Sequence, residues 1–123
     1  MSDIDVYVLN GEYTERLLYL LEHLQMNKLA TVECLLDNGF TNCWGNTFRK
    51  VWTLKLSDKY PVSFAMDVIK YRKYLELVRF MLFDEYSLFG HPYPCEKEEY
   101  EQIEKIITKM IDKNILKVYT NDK

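Results

Sequence analysis

Glycine, proline and cysteine are all scarce in this sequence, and each shortage excludes a class of protein. The 123 residues include 4 Gly, 3 Pro and 3 Cys. Isolated glycines cannot build the Gly-rich loops that cradle phosphates, so Walker and dinucleotide-binding fingerprints are absent. An odd number of widely spaced cysteines argues against a secreted disulfide framework and favours a reducing compartment. We therefore expect a cytoplasmic protein that uses no cofactor.

Long apolar runs and catalytic motifs are also missing. No run approaches the roughly 20 residues that a membrane span needs, and the first residues lack the apolar core of a signal peptide. Neither Gly-x-Ser-x-Gly nor His-Glu-x-x-His occurs. The chain is 48% apolar and 28% charged, as in ordinary globular proteins. These observations predict one domain, residues 1–123, without membrane association or enzymatic activity.

The few cysteine and histidine residues form a poor metal-binding pattern. Eight residues separate Cys34 from Cys43, and three separate His91 from Cys95. Structural zinc sites usually contain two cysteines only two to four residues apart, a spacing that is absent here. The glutamates that follow Cys95 oppose formation of its thiolate, which argues against a cysteine nucleophile. We expect no metal site.

Charge is unevenly distributed along the chain, although the net charge is only −3. Residues 1–46 carry 2 basic and 7 acidic side chains, residues 47–80 carry 8 and 3, and residues 81–123 carry 6 and 9. A basic and an acidic face could attract separate partners, or the blocks could neutralise each other in the fold. Lysine outnumbers arginine 12 to 4 and alanine occurs twice, a usage typical of AT-rich genomes and consistent with a phage, viral or mobile-element product.

Hydrophobic periodicity predicts an α+β fold in the order β-α-α-β-β-α-α-β, with a small, mostly antiparallel sheet packed by helices. A polar turn is expected at residues 41–46, between the second helix and the second strand. The predicted elements are a strand at 3–9, helices at 12–25 and 28–37, strands at 47–56 and from 62 to 66, helices at 67–83 and 94–114, and a strand at 115–120.

The predicted helix at 67–83 supplies the first candidate surface. On a helical wheel its outer sector mixes basic side chains with large apolar ones, a composition typical of an interface. Burial of that sector under another part of the chain is the alternative. The residues assigned to this surface are Ile69, Arg72, Lys73, Glu76 and Phe80, together with Arg49 and Lys50 of the preceding strand.

The glutamate-rich start of the last helix supplies a second candidate surface, formed by Glu98, Glu101 and Glu104. Such a face could imitate phosphates, although acids near a helix N-terminus also have an ordinary explanation in the helix dipole.

Binding is therefore the expected function. The leading hypothesis is a small regulator, inhibitor or immunity-type protein that acts through a protein partner. One alternative is a winged-helix-like nucleic-acid-binding regulator that uses the basic hairpin, which a pI near 5.4 disfavours. The other is a structural homo-oligomer assembled through the basic and apolar sector of residues 67–83.

Overall fold

The computed structural model describes residues 4–57, 61–84 and 90–118. The helices and strands follow the chain as β1 (Asp5–Tyr7), α1 (Thr14–Glu22), β2 (Leu24–Met26), α2 (Val32–Asp37), β3 (Thr41–Trp44), β4 (Thr47–Leu54), β5 (Val62–Lys70), β6 (Leu75–Asp84), α3 (Lys97–Asp112) and β7 (Leu116–Val118). The fold is α+β, with a mixed sheet and three helices in the described ranges.

Five strands form the main sheet, in the order β1-β6-β5-β4-β3. The strands from β3 to β6 run antiparallel to their neighbours, and β1 joins the edge parallel to β6. A separate two-stranded sheet pairs β2 with β7. The predominantly antiparallel character predicted from the sequence is thus present.

Strand β5 is the centre of the molecule, because seven consecutive residues, Val62 to Val68, are buried. Successive side chains of a strand point to opposite faces. Phe64 and Met66 therefore face the core, where the Phe64 ring stacks on Phe80 at 5.5 Å between centroids. Apolar side chains of α1 and α3 belong to the same buried cluster. Ser63 and Asp67 lie on the opposite face, called here the outer face of the sheet.

The predicted helix at residues 67–83 is wrong, because this segment forms the end of β5, a turn and most of β6. A β-bulge offsets the pairing, so that Asp67 pairs with Arg79 but Val68 pairs with Leu77. The extra residue, Val78, breaks the alternation of β6, so that the buried residues Leu77 and Phe80 lie three positions apart, a spacing that imitates a helix. The turn at residues 71–74 also contains none of the Gly, Pro, Asn or Asp residues that usually mark a turn.

Other elements differ less from prediction. The segment at residues 41–46, predicted as a turn, contains β3, and β2 was not anticipated. The second helix begins only at Val32, after Thr31 accepts a hydrogen bond from the amide of Cys34. The last helix begins after Glu96, which forms a reciprocal capping box with Glu99, and not at the predicted residue 94. Residues 3, 119 and 120 of the predicted terminal strands lie outside the described ranges.

None of the three helices in residues 4–57, 61–84 and 90–118 combines the length and the hydrophobicity that a membrane-spanning helix requires.

Candidate functional site

Two arginines converge on one buried carboxylate at the outer face of the sheet. The Arg49 Nε and Nη2 atoms donate to the Asp67 carboxylate at 2.6 and 2.9 Å, and the Arg79 Nη1 atom donates to it at 3.3 Å. The Asp67 side chain is 1% exposed. Its hydrogen bond raises the pKa of Arg49, an effect that outweighs desolvation. The three side chains join three neighbouring strands, so Arg49 has a structural partner inside the fold.

Lys50, the second strand residue assigned to the basic surface, also contacts the fold. Its Nζ atom donates to the Asn38 carbonyl at 2.6 Å and lies 5.1 Å from the centre of the Trp52 ring. Burial, followed by the nearby charge of Lys113, lowers the pKa of Lys50. The ammonium group therefore links β4 to the C-terminal end of α2. A cation at this end of a helix interacts favourably with the unpaired carbonyl groups of its last turn.

Two apolar residues of the predicted surface also have internal contacts. Phe80 is 0% exposed and lies in the core, so its assignment to a binding surface is wrong. The helical wheel placed it outside because the wheel used the wrong period. Ile69 is half-buried on the outer face, opposite Thr47 and Glu76. The residues of the first candidate surface are therefore distributed over two faces and one end of the sheet.

Arg72 and Lys73 line a groove at that end of the sheet. They lie in the turn between β5 and β6, which faces the loop between β2 and α2 across a space of about 580 Å³. We call this space the basic groove. Its lining consists of Met26, Asn27, Lys28, Ala30, Thr31, Val32, Lys70, Tyr71, Arg72, Lys73, Tyr74 and Leu75. Four of these described lining residues are cationic and none is acidic. The electrostatic potential in the groove is therefore positive, although the net charge of the chain is negative.

A pair of tyrosines shapes the turn that carries the cations. The Tyr71 and Tyr74 rings stack with centroids 4.9 Å apart, and the Tyr71 amide donates to the Tyr74 carbonyl at 2.8 Å. The two side chains are nevertheless 42% and 59% exposed. The pKa of Tyr71 is raised, mainly by the negative charge of Glu76. The Glu76 carboxylate therefore lies beside Tyr71, at the rim of the basic groove.

Further apolar surface surrounds the basic groove. The Lys70 amide donates to the Asn46 carbonyl at 2.9 Å, which joins the turn between β3 and β4 to the same end of the sheet. Trp44, the last residue of β3 before that turn, is 71% exposed. Leu29, in the loop that forms the other wall of the groove, is exposed to the same extent. Exposed aromatic and aliphatic side chains thus lie beside a cluster of cations.

The acidic residues assigned to the second surface lie on α3 but do not act as a unit. The Glu98 carboxylate accepts a hydrogen bond from the Ser57 amide at 3.1 Å, which helps to attach the segment that follows β4 to the helix. Glu101 and Glu104 are exposed. Glu101 has Lys97 and Lys105 four residues away on either side, a spacing at which opposite charges are neighbours on a helix. This face is therefore mixed in charge.

The four residues weighed as zinc ligands occupy different environments. Cys34 is half-buried in α2, Cys43 is exposed on β3, and Cys95 is buried just before α3. Burial, followed by the charges of nearby glutamates, raises the pKa of Cys95 to about 12. His91 is exposed. Over residues 4–57, 61–84 and 90–118, no group of three or more His, Cys, Asp or Glu side chains is arranged to hold a metal ion.

The sequence pattern identified Arg72 and Lys73 but missed the groove that they line. One signal was available: Lys70 to Tyr74 reads Lys-Tyr-Arg-Lys-Tyr, in which cations and aromatic rings are interleaved. The opposite wall, at residues 26–32, lies at least 38 positions earlier in the chain than Lys70 and carries no such signal. No protein-family model, curated protein or solved structure matches this chain.

Proposed function

We propose that this chain is a small, non-catalytic binding protein that recognises a protein partner through the basic groove. The observation that carries the proposal is the concentration of four cations and two exposed tyrosines around one concave surface, with no acidic residue among its described lining residues. A regulator, inhibitor or immunity-type protein acts through such a surface without needing catalytic groups.

The composition of the groove favours a protein partner. Tyrosine, tryptophan and arginine are the residues enriched at the energetic centres of protein interfaces. Tyr71, Arg72, Tyr74 and the neighbouring Trp44 provide this set within one end of the molecule. The apolar lining residues Met26, Val32 and Leu75 add surface whose burial would stabilise a complex.

The alternatives have less support. A winged-helix protein needs a recognition helix that presents basic or amide side chains to the DNA groove. Here α2 has only 6 residues, an acid in its first turn and no basic residue in its last turn. The homo-oligomer hypothesis relied on one continuous sector of a helix at residues 67–83, and these residues form strands with Phe80 in the core. The three free cysteines support an intracellular, cytoplasmic location for the binding protein.

Affinity capture from the source cells tests the proposal. The wild-type chain should retain a stoichiometric protein, and Arg72→Glu/Lys73→Glu should reduce its recovery about tenfold, because two attractive charge pairs become repulsive. A matched control, Lys105→Glu/Lys109→Glu, makes the same change in charge on the exposed face of α3. Equal recovery by the wild type and the groove variant, with unchanged circular dichroism, would contradict the proposal.

A further inference from the structure

The lining of the basic groove also indicates the chemistry of what it holds. Resting on the function proposed above, we infer that the groove binds a short, extended, acidic segment of the partner, in which carboxylate side chains flank an apolar or aromatic side chain.

Positive charge on both walls of the groove favours an acidic segment. Lys28 projects from the loop between β2 and α2, while Lys70, Arg72 and Lys73 come from the end of β5 and the following turn. A chain laid between the walls would therefore meet cations on either side along its length. Such complementarity accelerates association and selects against basic or neutral segments.

The apolar lining explains why carboxylates alone are not sufficient. Met26, Val32 and Leu75 are half-buried and line the groove, and an apolar side chain seated on them would complete their burial. A space of about 580 Å³ lies within the range of roughly 300–1,000 Å³ that is typical of clefts for small ligands. The groove therefore fits a few residues of extended chain and not a folded domain.

Two observations favour a short peptide segment over a single-stranded nucleic acid. Tyr71 and Tyr74 stack on each other at an interplanar angle of 26°, so each ring already uses one of the faces on which a base would stack. A short segment stays among the cations of the groove, whereas a phosphate backbone that continued beyond the groove would run over a chain of net charge −3, which repels it.

Fluorescence anisotropy with labelled synthetic probes tests this inference on the full chain. The probes are the peptide EELEFEE, its neutral analogue QQLQFQQ, its apolar-depleted analogue EESESEE, and an oligothymidylate of about ten nucleotides. EELEFEE should bind most tightly, and each analogue should bind about tenfold more weakly, because each loses one of the two kinds of contact. Arg72→Glu/Lys73→Glu should weaken EELEFEE binding at least as much, whereas Lys105→Glu/Lys109→Glu should leave it unchanged.

The outcomes separate this inference from the proposed function. If oligothymidylate binds more tightly than EELEFEE, or if the groove variant binds EELEFEE as the wild type does, the acidic-segment inference is wrong. If EELEFEE does not bind while the groove variant still loses the captured protein, the inference fails and the proposed function stands. If the groove variant also retains the captured protein, both fail.

Discussion

Asp67 shows how a single residue can determine the role of its neighbours. Its carboxylate is buried beneath Arg49 and Arg79 on the outer face of the sheet and accepts hydrogen bonds from both. Without that charge, two guanidinium groups would face each other across β5. Asp67 therefore neutralises two arginines that would otherwise repel each other. Arg49 has its partner on the outer face and does not line the basic groove.

Replacing Asp67 with asparagine should lower the free energy of unfolding by about 2 kcal/mol, because hydrogen bonds to charged groups are lost and like charges remain. Urea denaturation followed by circular dichroism measures this change. Glu104→Gln removes a negative charge from an exposed position on α3 and should change stability by less than about 0.5 kcal/mol. Equal stability of the two variants would show that the arginines do not need the carboxylate.

At the scale of elements, the connection between β1 and α1 is held against the segment that leads into α3. The Tyr13 amide donates to the Cys95 carbonyl at 2.8 Å. A Cβ atom at Gly11 would lie 2.6 Å from the Cys95 carbonyl oxygen and 2.8 Å from its amide nitrogen. The turn can therefore approach the backbone around Cys95 only because residue 11 has no side chain.

Gly11→Ala should accordingly lower the free energy of unfolding by about 2 kcal/mol, since backbone atoms would have to move apart. Gly45→Asn is the matched control: residue 45 has φ +55°, a conformation that asparagine tolerates, and open space surrounds its Cβ position. Its cost should stay below about 1 kcal/mol. Thermal denaturation of both variants measures the difference, and equal melting temperatures would contradict the close approach.

Sequence periodicity predicted those elements that bury one face and failed where this condition does not hold. A helix was predicted correctly at the position of α3, because Ile103, Ile107 and Met110 recur at helical spacing and face the core while the opposite side meets solvent. Strand β5 is buried on both faces, so residues 67–69 carry no clear alternation, and the bulge at Val78 then shifts the phase of β6.

The candidate site could be predicted only in part, for a related reason. Residues adjacent in sequence, such as Arg72 and Lys73, can be recognised as a basic pair wherever they lie. The groove exists because the β5–β6 turn faces the loop between β2 and α2, a long-range arrangement that no local pattern encodes. The contact of Lys50 could not be predicted either, because its partner is the Asn38 carbonyl, a backbone group that a sequence pattern does not reveal.

At the scale of the whole molecule, the fold divides the basic block at residues 47–80 into cations that have partners within the chain and cations that line the groove. Arg49 and Arg79 share the carboxylate of the same block, and Lys50 is directed to a backbone carbonyl. Lys70, Arg72 and Lys73 remain at the end of the sheet and line the groove. Three of the eight cations of this block, together with Lys28, are therefore gathered at one location, as a charge-selective binding surface requires.

The same architecture predicts an uneven distribution of stability, which hydrogen exchange can measure. Amides of β5 should exchange most slowly, because the strand is central and Val62 to Val68 are all buried, so exposing them requires global unfolding. Edge strand β3, in which every residue is exposed, should exchange through local opening and therefore much faster. Helix α3 is an internal reference, since Ile103 and Ile107 belong to the same buried cluster as β5. Exchange of β3 as slow as that of β5, measured by mass spectrometry on the full chain, would contradict this order of strands.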